Sequence, residues 1–158
     1  MTQELFVRII ADGSVVPIVI IGAYALIFKV PKGHRLQSYA QVLMAGLIAY
    51  LLAKLIGAIY QPSGERPFEM LGTVAGASFM NNPGFPSDHV LFVTAITCAV
   101  WFQTRQKLLT VILAGLTITV CVGRVLALVH TPADVIGGVV IALIGALWYL
   151  NDIPKLSK

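Results

Sequence analysis

Charge is what this sequence has least of. Asp, Glu, Lys and Arg make up 11% of its 158 residues, less than half of the roughly 25% usual in soluble domains. Hydrophobic residues make up 58%, and a chain this short has too little interior to hide so much apolar surface. A water-soluble globule is therefore excluded. Disorder is excluded as well, because it requires low hydrophobicity and high charge. Cysteine is scarce: Cys98 and Cys121 each fall inside an apolar run and read as small buried hydrophobes, not as a disulfide or a metal pair. The Lys and Arg residues are too scattered for the basic stripe of a nucleic-acid binder. Strand-like alternation, internal repeats and low-complexity tracts are absent. No cleavable signal is evident, since acidic Glu4 precedes a short apolar patch with no small-residue cleavage site.

What remains is five apolar runs, each bounded by charge or turn residues. They cover about Val15 to Phe28, Ala40 to Tyr60, Ser87 to Gln103, Leu108 to Val129 and Thr131 to Leu150. A span takes about 20 mostly apolar residues, so the first run is short and invites tilt or thinned lipid. The stretch Thr2 to Ala11 mixes Leu5, Phe6, Ile9 and Ile10 with Glu4 and Arg8 and reads as an amphipathic helix in the interface. The expected fold is an all-α polytopic membrane helix bundle, with about five transmembrane helices plus this N-terminal interfacial helix. Residues 1–158 form a single integral membrane domain, and the lipid bilayer is its first partner.

Loop cations set the orientation. With five spans, one side receives Lys29, Lys32, Arg35, Arg105, Lys107, Lys155 and Lys158, and the other receives Arg8, Arg66 and Arg124. The positive-inside bias puts the N-terminus outside and the C-terminus in the cytoplasm. The polar segment Gln61 to Pro86, with Pro62, Pro67, Pro83 and Pro86, then faces outward; a long ordered loop in a compact protein is usually functional.

Each ionisable residue at membrane depth costs several kcal/mol and needs a reason. Lys54 lies near the outer end of the second run and Arg124 near that of the fourth. Ser87, Asp88 and His89 open the third run; His130, Thr131 and Asp134 open the fifth; Arg66 lies in the outer loop. Span counting alone brings all of them to one membrane face. Guanidinium forks match phosphate oxygens, and helix starts at Ser87 and Thr131 offer backbone N–H groups to an anion. Of the two imidazoles, one can serve as nucleophile and the other as general acid. Such a cluster suggests phosphoryl transfer. Two carboxylates among three cations would hold a divalent ion poorly, so neither metal nor cofactor is expected.

The spacing carries a resemblance. Gly123-Arg124, then five residues, His130, three residues and Asp134, resembles the third signature of the type 2 phosphatidic acid phosphatase family, S-R-x5-H-x3-D. Pro86-Ser87-Asp88-His89 resembles the second, P-S-G-H, and Lys54 with Arg66-Pro67 resembles the first, K-x6-R-P. The resemblance covers roughly Ala53 to Gly138. There are departures: eleven residues separate Lys54 from Arg66, Gly123 stands for the usual Ser, and Asp88 stands for Gly, a variant associated with bacterial undecaprenyl-diphosphate phosphatases of the family. The usual family core has six spans, the first here being reduced to the Thr2–Ala11 piece. The resemblance implies that His130 attacks phosphorus, that Asp134 holds its other ring nitrogen, and that His89 protonates the leaving oxygen. It also implies that Arg124, Arg66, Ser87, Lys54 and the variant position Asp88 form the phosphate-binding shell.

Plainer readings stand beside these. Thr131-Pro132-Ala133-Asp134 is a good helix start, with Asp134 a cap, and Ser87-Asp88 can cap likewise. Lys54 and Arg124 can snorkel to the interface. Trp101, Trp148 and Tyr149 read as belt residues. The expected function is hydrolysis of undecaprenyl (polyprenyl) diphosphate to monophosphate and phosphate, through a phosphohistidine, at the outer face of the plasma membrane. Alternatives are a phosphatidic acid or phosphatidylglycerol phosphate phosphatase and, in another class, a non-catalytic lipid-phosphate-binding membrane protein.

Overall fold

A computed structural model describes residues 3–150 except 63, 81 and 83. Thr2, Pro83, Lys155 and Lys158, which enter the expectations above, lie outside the described residues. All regular structure within them is helical: α1 (Gln3–Arg8), a π-helical turn (Ile9–Gly13), α2 (Val15–Phe28), α3 (Arg35–Ile59), the short α4 (Pro67–Met70), α5 (Asp88–Thr104), α6 (Lys107–Leu126) and α7 (Pro132–Ala146). The stretches Gln3–Phe28, Lys32–Ile59, Lys107–Leu126 and Pro132–Leu150 are long and apolar enough to cross a membrane. They make this a multi-pass membrane protein.

The fifth long helix, α5, has 17 residues, about 25 Å at 1.5 Å per residue. It packs against α2, α3, α6 and α7, so protein surrounds it, and Val90, Leu91, Val93, Ala99 and Val100 are buried. Small residues let the helices approach closely, as membrane interfaces require. At Gly138 of α7 a Cβ would stand 2.8 Å from the Ser87 carbonyl at the start of α5.

The N-terminal segment differs from the expected interfacial helix. Through the π turn, α1 joins α2 in one 26-residue helix, Gln3–Phe28, which also removes the shortness of the first apolar run. The cause lies in α6. Gly123 has no side chain, and Ala11 of the π turn fills that space, with its backbone where a Cβ on Gly123 would be 2.7 Å away. Docked there, the segment buries Ala11 and carries Asp12 into the bundle.

At one end of the bundle, Gln103 donates to Gln41 (2.9 Å), Arg35 donates to the Ile27 carbonyl (3.0 Å), and Phe102 stacks on Tyr149 with centroids 5.0 Å apart. At the other end, the segment between α3 and α5 is sewn to the α6–α7 connection. Phe68 N–H donates to the Leu128 carbonyl, Gly76 N–H to that of Ala127 and Ser87 N–H to that of Asp134, each at 3.0 Å. These bonds bring the loop over the helix ends that carry the polar residues.

Candidate active site

The α6–α7 connection is the frame of the site. Leu128 takes a left-handed conformation (φ 58°), which costs a non-glycine residue on the order of 1 kcal/mol or more. It turns the chain within a few residues, so that Arg124 at the end of α6 and His130 ahead of α7 face the same space. Thr131 then caps α7: its hydroxyl accepts from Asp134 N–H (3.2 Å), while Asp134 Oδ2 accepts from Thr131 N–H (2.8 Å). Both readings of Asp134 therefore hold. The same Oδ2 that caps the helix stands 3.5 Å from Nδ1 of His130. That contact lacks hydrogen-bond alignment, and both Nδ1 of His130 and Oδ1 of Asp134 are buried without a partner among the described residues. Such contacts are commonly long in unliganded sites and tighten in the substrate complex. With Nδ1 turned to the carboxylate, Nε2 is the nitrogen left for chemistry.

His89, His130, Arg66 and Arg124 line one pocket together with Asp88 and Asn82. It has room for little more than a water molecule, about 10 Å³, so a phosphoryl group enters only as lining side chains move apart. Among the described residues, Arg124 Nε in this pocket and Ser87 Oγ, between the lining residues Pro86 and Asp88, are buried without partners, a condition costing about 1–3 kcal/mol per group that an anion's oxygens would relieve.

Arg66 reaches in from the loop. Its backbone N–H donates to Glu69 (2.7 Å), which starts α4 just behind it. Its guanidinium donates to the Val129 carbonyl at 2.6 Å, to the Met80 and Asn82 carbonyls at 3.0 Å and to Asn82 Oδ1 at 3.1 Å. It also lies 5.3 Å over the Phe79 ring. Burial lowers its pKa, and Glu69, Asp134 and Asp88 oppose that shift. It stays charged.

These signatures have a family behind them. The model of the PAP2 superfamily matches residues 35–158. The chain belongs to that superfamily. It is 29% identical over 131 residues to the bacitracin transport permease protein BcrC of Bacillus licheniformis, covering 82% of this chain and 61% of that one; the chain thus spans about three fifths of that relative's length. No solved structure matches.

Several site residues stand differently from the PAP2 pattern as read in the sequence. Lys54 is outside the pocket and exposed: its ammonium pairs with Asp88 at 3.0 and 3.2 Å and lies 5.3 Å over the Tyr50 ring. The eleven-residue spacing to Arg66 explains this, since the extra chain lets Arg66 fold in while Lys54 stays on the face of α3. Asp88 lines the pocket, but its carboxylate holds Lys54 and accepts from Asn82 Nδ2 (3.0 Å), so it neutralises a cation and offers a phosphate oxygen no donor. Ser87 is fully buried, but its N–H is committed to the Asp134 carbonyl, so only its hydroxyl is available. The start of α7 is closed to an anion by its own cap.

Two residues escaped the sequence reading. Asn82 lay in an undifferentiated polar loop. Asp12 donates nothing to a PAP2 signature, yet its Oδ1 accepts from Arg124 Nη1 at 2.9 Å, and Arg124 is only 1% exposed. The signal that could have found it is a carboxylate inside an apolar N-terminal stretch, expensive at membrane depth.

Gly123 now has a reason to be glycine. Gly123→Ser, which would restore the usual PAP2 residue, is expected to lower the thermal midpoint by about 2–12 °C, as overpacking costs roughly 1–3 kcal/mol. Differential scanning fluorimetry in detergent measures it, and an unchanged midpoint would refute the Ala11 contact.

Burial lowers the pKa of His130; the Arg124 and Arg66 cations push the same way, and Asp134 opposes them. A depressed histidine pKa keeps the imidazole neutral below its ordinary value of about 6.5. The stabilisation gained by holding it neutral is full above that value and fades as pH falls through the lower folded-state value. The acid limb of kcat/KM due to His130 is therefore expected below pH 6.5, and lower still in Asp134→Asn. Profiles on a diphosphate and a monophosphate lipid identify the limb as the one common to both; a common limb above 6.5 contradicts the burial argument.

Proposed function

We propose that this protein is a membrane lipid phosphatase that hydrolyses a polyprenyl diphosphate such as undecaprenyl diphosphate to the monophosphate and inorganic phosphate. The observation that carries this reading is one pocket lined by two imidazoles and two guanidinium groups, opening beside an apolar cleft. That cleft, about 650 Å³, runs between α3 and α5 over Gly46, Ala49, Leu91 and Ala95 and has Lys54 and Asp88 at its polar end. A second cavity shares Gly46, Phe92 and Ala95 with it and continues to Ala146 and Tyr149. Two adjoining apolar cavities in line along α3 and α5 suit a single extended chain better than the paired tails of phosphatidic acid.

In this mechanism Nε2 of His130 attacks the terminal phosphorus, and the bond to the bridging oxygen breaks. His89 gives its proton to that oxygen, releasing the lipid monophosphate. Water then attacks the phosphohistidine and gives a proton to His89; the bond from phosphorus to nitrogen breaks, freeing phosphate. Asp134 stabilises the charged imidazole of His130, while Arg66, Arg124 and the Ser87 hydroxyl balance charge on the equatorial oxygens. The site faces outward in the plasma membrane, with the N-terminus out and the C-terminus in. No metal or cofactor takes part.

The experiment is phosphate release by the detergent-purified chain from undecaprenyl diphosphate, phosphatidic acid and phosphatidylglycerol phosphate, with and without chelator. Preference for the diphosphate, unaffected by chelator, supports the reading. Preference for a phospholipid replaces the substrate, loss with chelator removes the metal-free mechanism, and no release from any lipid leaves a lipid-phosphate-binding protein.

A further inference from the structure

The N-terminal helix precedes every PAP2 signature and the whole of the matched region 35–158, yet it supplies a carboxylate to the site. Asp12 uses its two oxygens separately: Oδ1 accepts from Arg124 Nη1 at 2.9 Å and Oδ2 from the Ser78 N–H at 2.8 Å. Arg124 is almost wholly buried, and its Nε has no partner among the described residues. Asp12 reaches it because the helix widens into a π turn there, a distortion frequent at functional sites, and because Gly123 lets that turn lie directly on α6.

We propose that Asp12 is a positioning residue for phosphate binding. It grips one edge of the Arg124 guanidinium, so that the edge carrying Nε stays turned to the pocket. Through Ser78 the same carboxylate ties down the loop that carries Met80 and Asn82, the Arg66 partners. A long side chain at a helix end, buried without that carboxylate, would lose its fixed orientation and the counter-charge that makes burial tolerable. One acceptor cannot replace two: asparagine would set an amide N–H against either Arg124 or Ser78. The inference rests on the reading that Arg124 binds the transferred phosphate.

The test uses the full chain in detergent with Asp12→Ala, Asp12→Asn and Asp12→Glu, measuring kcat/KM on undecaprenyl diphosphate, inhibition by orthovanadate and the thermal midpoint. Asp12→Ala is expected to lose about 100-fold in kcat/KM, the scale of a misplaced catalytic group. Its vanadate inhibition constant should rise at least about tenfold, as when a charge-assisted bond is lost. Asp12→Glu should recover part of both. A purely structural role would lower the midpoint and the active fraction while leaving the inhibition constant of surviving enzyme at the wild-type value, and that result overturns the proposal. Should Asp12→Ala fail to fold, Asp12→Asn gives the same comparison. Wild type is measured first: phosphate release that vanadate does not inhibit overturns the role of Arg124 and this inference with it, whereas no release at all overturns the phosphatase reading itself.

Discussion

Replacing His130 with alanine is expected to lower kcat/KM on a polyprenyl diphosphate by about 10⁴-fold or more, because in the proposed mechanism His130 forms the covalent intermediate while His89 serves as the acid. His130 is 5% exposed, with Nδ1 3.5 Å from Asp134 and its neighbour Val129 gripped by Arg66 at 2.6 Å. With Nδ1 turned toward the carboxylate and the adjacent backbone fixed, Nε2 is the nitrogen that the proposed mechanism uses as nucleophile. The residual rate belongs to the cationic shell, which still binds the phosphate and polarises it. Wild-type enzyme quenched in alkali should carry labelled phosphohistidine from diphosphate substrate, and His130→Ala should carry none. Label retained in the alanine variant, or a rate loss under about tenfold, would place the nucleophile elsewhere.

How much of this could be read in the chain depends on what kind of constraint acts on each residue. Arg124, His130 and Asp134 sit within one helix end, one turn and one helix start, so their spacing is a local quantity that fixes geometry. Pro86 to His89 likewise opens a helix directly against α7, and span parity puts its start beside that of α7. Arg66 follows because its charge and the helix start at Pro67 place it just ahead of α4. Lys54 is different. Its relation to Arg66 passes through residues of loop, and a loop can direct two cations into the same site or into different ones; here Asp88 draws Lys54 to the surface. Asp12 is more remote still, 112 residues from Arg124, and no periodicity reports a contact made by the absence of a side chain at Gly123. That the N–H groups at Ser87 and Thr131 are already engaged by Asp134 is equally invisible in the sequence. A helix start promises donors in general, but whether a cap or a neighbouring carbonyl has already taken them is settled only by packing.

Arg66→Ala is the second change expected to be severe, with a loss of about 10³-fold in kcat/KM, at the upper end for one preorganised donor. The size follows from its double attachment. As a cation it lines the candidate pocket with Arg124. As a donor it joins the Val129 carbonyl, next to the nucleophile, to the Met80 and Asn82 carbonyls of the outer loop. Truncation removes a cation from the pocket and leaves the buried Val129 carbonyl unpaired, at about 1–3 kcal/mol, while the more exposed Met80 and Asn82 carbonyls can turn to water. Arg66→Lys separates the two roles. An ammonium restores the charge but cannot reproduce the planar fork that reaches Val129 and Asn82 together. It is therefore expected to recover less than about tenfold of the loss, since only the charge returns. Recovery to near wild-type rates by lysine would show that charge alone matters and that the bridge between the His130 turn and the outer loop has no part in catalysis. Steady-state kinetics on the three proteins, each assayed well below its own thermal midpoint, decides between these outcomes.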